Sequence, residues 1–241
     1  MATVLPNSNN SDSKKVQVEG MFDSIATHYD LLNHTLSLNI DKIWRRKVVK
    51  IVGKYAPTRV LDVATGTADL AIALTKTQAK QIVGIDLSEN MLAIGREKVA
   101  KRGLQNIIGL QKGDAENLPF ADGEFDATTV SFGARNFENL EAGLKQMHRI
   151  LAKDGVCVVL EFTMPRRFPV KQLYKFYFKY ILPVIGRMVS NDDRAYTYLP
   201  ESVQAFPQYD NFADIMLRCG FSNVTYKVLS MGIAAIYIGR K

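Results

Sequence analysis

The chain has 241 residues, 47% of them hydrophobic, which suffices for one sizeable α/β domain with a decoration and falls short of two ordinary domains. Its formal charge of +7 is compatible with nucleic acid, an anionic membrane surface or plain solubility, and selects none of them. Two distant cysteines, Cys157 and Cys219, exclude a disulfide framework and a cysteine metal site, and no apolar run approaches the roughly 18 residues needed to span a bilayer.

Residues 1–18 are rich in Asn and Ser, with no apolar signal core and no Arg. They read as a disordered tail without secretory or mitochondrial targeting, which leads to the expectation of a soluble, cytoplasmic protein. The remainder, 19–241, reads as a single domain. Phe22, Ile25, Ala26 and Tyr29 stand at i, i+3, i+4 and i+7, and Ile43, Val48, Ile51 and Val52 form a second apolar stripe after a candidate N-cap, Asp41. Two leading helices follow, with 19–55 placed as a helical lid. After Pro57 short apolar strands alternate with helices, the pattern of a parallel sheet built from βαβ units. The expected strands are 59–64, 81–86, 107–111, 125–132 and 156–162. Helices are expected from about Asp69, after the cap Ser88 to near Gly103, and from Leu140 to Leu151, where a Lys153-Asp154-Gly155 turn separates helix from strand.

From 165 to 207 the strand rhythm gives way to helical spacing, Leu173, Phe176, Tyr177, Tyr180 and Ile181 among it, so this stretch reads as a helical insertion. A helix over 212–219 and two strand-like runs, 224–230 and 233–239, close the chain as an antiparallel hairpin at a sheet edge. The fold class is therefore α/β, a mostly parallel seven-stranded Rossmann-like sheet.

In such a sheet ligands sit beyond the carboxyl ends of the strands, where strand order reverses. Gly66, in the first strand-to-helix turn of Leu61-Asp62-Val63-Ala64-Thr65-Gly66-Thr67-Ala68-Asp69, allows close backbone approach to a nucleotide-like cofactor. A dinucleotide would ask for G-x-G-x-x-G to seat its pyrophosphate. Only Gly66 is present, and Asp62 and Asp69 would repel phosphate while suiting an ammonium, which favours S-adenosylmethionine over NAD. Asp86 ends the second strand and is placed to accept both ribose hydroxyls. Asp114 and Ala115 follow the third strand, where they can receive an adenine amino group, with Leu118 and Phe120 as apolar surface for the ring. Each Asp alone reads as an ordinary turn or cap residue; together, in register with the strand ends, they point to a cofactor site.

These residues resemble the menaquinone and ubiquinone biosynthesis C-methyltransferase family from about Val18 to the C-terminus. The matching blocks are Met21–Asp30, Leu61–Asp69, Gly113–Phe120, Ser131–Asn136, Glu161–Pro165 and Tyr196–Ser202. The Gly113–Phe120 block is common to many methyltransferases, whereas Arg135-Asn136 and Tyr-x-Tyr-Leu-Pro-x-Ser are narrower. The resemblance implies a class I S-adenosylmethionine-dependent methyltransferase with cofactor contacts at Thr67, Asp86, Asp114, Ala115 and Ser131. Two positions depart from the family: Ala68 stands where Gly is usual, and Ala134 replaces a larger aliphatic residue.

The implied reaction is C-methylation of a polyprenylated quinol. Demethylmenaquinol is the first-choice substrate, since the missing transit peptide leans towards a bacterial enzyme, and a benzoquinol of ubiquinone biosynthesis or another small molecule is the alternative. A ring carbon becomes nucleophilic when an adjacent hydroxyl is deprotonated, so fixed donors near that oxygen matter most, and Arg135 and Asn136 are the candidates. The plain alternative for Arg135 is pairing with a surface carboxylate. His28 and Tyr29 are candidates for proton transfer, with core packing the competing role of Tyr29. No metal is called for. Between Arg166 and Arg187 basic residues interleave with aromatics and no acid intervenes, a pattern that suits an anionic bilayer surface at the inner face of the membrane, or equally a lid helix or homodimer contact. Nucleic acid is disfavoured, because the motif of base amino-group methylation is absent. The rival readings are an NAD-dependent oxidoreductase and a non-enzymatic adaptor.

Overall fold

The computed structural model describes residues 4–37, 39–181 and 194–241. The sheet consists of β1 (Arg59–Val63), β2 (Gln81–Asp86), β3 (Ile108–Lys112), β4 (Phe125–Ser131), β5 (Leu151–Phe162), β6 (Ser222–Leu229) and β7 (Ala234–Arg240). Their order is β3-β2-β1-β4-β5-β7-β6. The first five are parallel, and β7 runs antiparallel between β5 and the edge strand β6. The seven-stranded expectation and the edge hairpin are thus met. Strand order reverses between β1 and β4, which opens a crevice at their carboxyl ends.

Both faces of the sheet are covered, as strands that read as continuous apolar runs require. On one face Leu61, Val63, Cys157, Val159 and Tyr237 pack with α5 (Leu140–Ile150) and a helix at Asp210–Arg218. On the other, Val60, Ile82, Val158, Leu160 and Ile236 pack with α2 (Ile40–Gly53) and α3 (Asp69–Leu74). Helix α4 (Glu89–Lys101) starts at the predicted cap, where Ser88 Oγ accepts from the Met91 N–H at 3.1 Å. Both cysteines are buried and free, and burial pushes the Cys157 thiol up to about 12.

Several boundaries differ from expectation for local reasons. Helix α1 runs Lys14–Leu36, so residues 14–18 belong to it and not to a disordered tail. Its start is tied down by Gln17, whose amide donates to Asn10 O and Asp12 O while its carbonyl receives the Asn7 N–H. Helix α2 is preceded by Asn39 in the left-handed region; Asp41 lies in its first turn, bonded to Ser37 Oγ at 2.6 Å and paired with Arg45. Its buried stripe carries Trp44 in place of the exposed Ile43. Strand β5 begins at Leu151, and the expected 153–155 turn is a bulge within it, where pairing steps from Phe125–Leu151 to Ala127–Val156. The insertion holds α6 (Val170–Phe176), a π-turn over Tyr177–Ile181 and α7 (Arg194–Ala205), followed by α8 (Asp210–Arg218). Arg187 lies outside the described residues.

The crevice is held narrow by a contact between the β1 and β4 turns. A Cβ on Gly133 would stand 2.5 Å from the Ala64 Cβ, and neither atom is the end of a flexible side chain. Gly133→Ala is therefore expected to cost about 1–3 kcal/mol through overpacking, measured by urea unfolding; an unchanged midpoint would show that the two turns move apart freely.

Candidate functional site

The β1 turn carries three alternate residues with positive φ: Ala64 (52°), Gly66 (56°) and Ala68 (65°). Only Gly66 is free of a Cβ in that conformation, and a Cβ there would approach Tyr29 of α1. The turn is fixed from two sides. Thr65 N–H donates to Ile85 O at 2.9 Å, and Gly66 N–H donates to Asp86 Oδ2 at 2.8 Å. Ala68, the departure from the family pattern, is fully buried at the start of α3.

A cleft opens over this turn. Gly66, Asp86, Asp114, Ala115 and Ser131 line it, as do Tyr29 and Asn136. Five of the seven predicted cofactor residues and two of the four catalytic candidates thus converge. Asp86 Oδ1 also accepts from Ser88 N–H at 2.9 Å, and burial pushes its carboxyl up against the pull of these backbone donors. Asp114 accepts from Glu116 N–H and from Lys15 Nζ. Ser131 Oγ and Asn136 Oδ1 are buried in the wall and have no hydrogen-bond partner among the described residues.

The remaining predicted residues stand behind the wall. Asp62 is 1% exposed and accepts from Thr65 Oγ1 and Thr129 Oγ1, both at 2.7 Å. It braces β1, β4 and the turn, and burial raises its carboxyl to about 6. Thr67 is buried and donates to Asp30 at 2.5 Å. Asp69, expected to attract an ammonium, is already paired with Lys98 and Arg45. Leu118 and Phe120 pack into the core, Phe120 edge-on to Phe125 at 5.0 Å, because Arg149 draws both backbone carbonyls inward. Leu87, Met91 and Phe137 supply the apolar wall instead.

Arg135 does not line this cleft. Its guanidinium pairs at 2.9 Å with Glu161, whose side chain is fully buried, and lies 5.6 Å above the Phe162 ring. The alternative of a surface partner is therefore met by a buried one. Tyr29 both lines the cleft and packs edge-on to Phe22; burial raises its phenol above the ordinary value, so it remains a proton donor. The His28 side chain lies outside the described residues.

Sequence reasoning missed the polar underside of α1. Lys15 pairs with Asp114, Glu19 with Lys112 and Asp30 with Lys98, while Asp23 accepts from Ser88 Oγ at 2.5 Å. Lys14 donates to Arg135 O and Phe137 O; burial and the nearby Arg135 charge lower its ammonium to about 8. The i, i+7 spacing of Asp23 and Asp30 was the available signal, a polar row beside the apolar stripe.

The profile of the ubiE/COQ5 methyltransferase family matches residues 9–241. A demethylmenaquinone methyltransferase of Bacteroides fragilis is 47% identical over 96% of this chain and 95% of that protein. One of Thermus thermophilus is 45% identical over 91% and 99%. A ubiquinone/menaquinone biosynthesis C-methyltransferase UbiE of Geotalea uraniireducens is 46% identical over 95% and 97%. In fold, the chain is similar to an S-adenosylmethionine-dependent methyltransferase of Thermotoga maritima described as a possible histamine N-methyltransferase, with TM-score 0.64 and 20% identity over 92% of this chain and 99% of that one.

The Asp62 brace has a measurable signature. Its folded value of about 6 lies above the ordinary 3.8, so ionisation opposes folding, and this contribution is lost to stability as pH rises from about 4 to 6. Between pH 4 and 7 the stability of Asp62→Asn relative to the parent is expected to improve by up to about 3 kcal/mol. Urea titrations at both pH values check this; parallel changes in the two proteins would contradict it.

Proposed function

Since the chain belongs to the ubiE/COQ5 methyltransferase family, we propose that it methylates a ring carbon of a polyprenylated quinol, with demethylmenaquinol as first-choice acceptor and a benzoquinol as the alternative. The demethylmenaquinone methyltransferases of B. fragilis and T. thermophilus support the naphthoquinol. The single observation that carries the cofactor assignment is the pair of buried acceptors, Ser131 Oγ and Asn136 Oδ1, which have no partner among the described residues, in the wall that also holds Gly66. Native folds rarely leave such groups unmatched. S-adenosylmethionine supplies an electrophilic methyl group: a carbon–carbon bond to the ring replaces the carbon–sulfur bond, and the ring proton is lost.

In this reading Asp86 receives the ribose hydroxyls, Asp114 and Ala115 the adenine amino group, and Gly66 lets the backbone come close. Asp62 and Thr67 act indirectly, by holding the turn and its link to α1. Helix α1 serves as the lid over the cleft and excludes water, which strengthens every electrostatic contact beneath it. Tyr29 and His28 ride on that lid, Tyr29 as a donor. Arg135 holds positive charge one residue from the wall, where it stabilises a quinolate oxygen.

A lipid-soluble acceptor must also be reached. Among the described residues no helix is long and apolar enough to cross a membrane. Phe168, Leu173, Phe176 and Tyr180 are exposed beside the exposed Arg167, Lys171 and Lys175, which supports contact of this face with an anionic bilayer.

Three measurements test these assignments. Calorimetry is expected to show S-adenosylmethionine binding that Asp86→Ala weakens about 10-fold or more, through loss of charge-assisted hydrogen bonds, and no binding of NADH; the reverse preference would overturn the cofactor assignment. Incubation with methyl-labelled cofactor should label a demethylated naphthoquinol, and failure with every quinol offered would remove the substrate assignment. Sedimentation with vesicles should show more protein on phosphatidylglycerol than on phosphatidylcholine, and less with Phe168 and Phe176 both changed to Ser. Equal binding to both vesicles would reject the surface.

A further inference from the structure

A second group of unmatched polar atoms lies outside the cofactor cleft. Tyr174 on α6 and Tyr198 on α7 are 7% and 2% exposed. Neither phenol oxygen has a hydrogen-bond partner among the described residues, and the same holds for Arg135 Nε. All three are more than nine-tenths buried, with the Arg135 side chain 8% exposed. The phenols come from two different helices of the insertion, yet the charges of Arg135 and Glu161 act on both.

The pair itself is immobilised. Arg135 Nη1 is committed to Glu161 and to Phe132 O. What remains, among the described residues, is a set of buried hydrogens without acceptors: the two phenol O–H groups and the Arg135 Nε–H. Their surroundings are aromatic, with Phe132 stacked on Phe162 at 4.4 Å and Tyr174 against Phe178 at 4.3 Å. Three buried donors without acceptors, two of them under the charges of one ion pair and set among aromatic rings, suit one kind of ligand, an aromatic ring bearing an oxygen that accepts hydrogen bonds. Phe132 and Asn136, which line the cofactor cleft, flank Arg135 in the chain, so this group adjoins that cleft.

We propose that Tyr174 and Tyr198, with Arg135 Nε, bind the oxygen of the aromatic acceptor as hydrogen-bond donors and stabilise it as an oxyanion. The proposal rests on the quinol reading above and names the residues that recognise the ring oxygen. Burial raises both phenols, that of Tyr198 to about 12, so they stay protonated and act as donors and not as bases. Folding leaves these donors unmatched so that a ligand can match them, and stability is lost in exchange.

That exchange separates a binding role from a packing role. In Tyr174→Phe, Tyr198→Phe and the double variant, thermal unfolding of the ligand-free protein should occur at the parent temperature or above it. Affinity for S-adenosylmethionine should be unchanged, while kcat/KM for a demethylated naphthoquinol should fall about 10- to 100-fold per variant. The acid limb of the kcat/KM profile should move to higher pH, because the ionised acceptor loses its donors. Binding of 1-naphthol, followed by fluorescence, supplies a readout that needs no turnover: the parent should depress the naphthol's apparent pKa and the double variant should not. Naphthol binding without methyl transfer would overturn the quinol reading and leave this site standing. Unaltered kcat/KM, an unmoved pH profile and unaltered naphthol binding in the double variant would overturn the site, as would early unfolding of both single variants.

Discussion

The buried Asp62 carboxylate is the constraint on which the cleft depends. It sits at the point where strand order reverses and receives one hydroxyl from the turn, Thr65, and one from the neighbouring strand, Thr129. A buried charge is costly unless matched, and these two bonds do not fully offset the cost, since the carboxyl is held well above its ordinary value. What the expense secures is position. With Thr65 anchored, Gly66 presents its N–H to Asp86, and Ala64 meets Gly133 closely enough to set the width of the crevice. The strained backbone at Ala64 and Ala68 belongs to the same device, because strain persists only where its surroundings over-determine it.

Helix α1 extends that logic over the cleft. Apolar residues Val18, Met21 and Ile25 pack with Tyr198 of α7, while the polar row grips the rim of the cleft. Such partly exposed ion pairs are individually weak, so a latch made of several of them can release and re-form as a unit. Lys15 engages Asp114, the carboxylate proposed above for the adenine, and this places that contact of α1 and occupation of the cleft in competition for one group. Tyr198 thus joins α1 to the insertion by packing.

Features governed by short-range rules were legible in the sequence: the strand rhythm, the Ser88 cap, the Gly66 turn and the carboxylates at strand ends. The ambiguity at Asp62 and Asp69 shows where such reading stops. Both are carboxylates beside the correct glycine, and nothing local distinguishes one facing a ligand from one consumed by Thr129 or by Lys98, which are distant in the chain. Leu118 and Phe120 misled for a similar reason, since Arg149 decides their direction. The unmatched phenols of Tyr174 and Tyr198 were invisible because they read as core aromatics. Only an inventory of buried oxygens separates a Tyr from a Phe in such a position.

Five of the unmatched atoms form two chemically distinct sets. Ser131 Oγ and Asn136 Oδ1 are acceptors in a cleft whose carboxylates suit hydroxyl, amino and cationic groups; Tyr174, Tyr198 and Arg135 offer donors, the last from within the Arg135–Glu161 ion pair. One stretch, residues 131–136, contributes to both. Glu161 keeps the net charge of the second set near neutral, so an oxyanion entering it gains hydrogen bonds without facing a bare cation that would trap it. A guanidinium free of Glu161 would hold a quinolate strongly and lower its nucleophilicity, whereas donors pinned at a neutral pair stabilise the charge and leave electron density available to the ring. In the proposed reading, an Arg135 paired with a buried acid suits methyl transfer better than an unpaired arginine would.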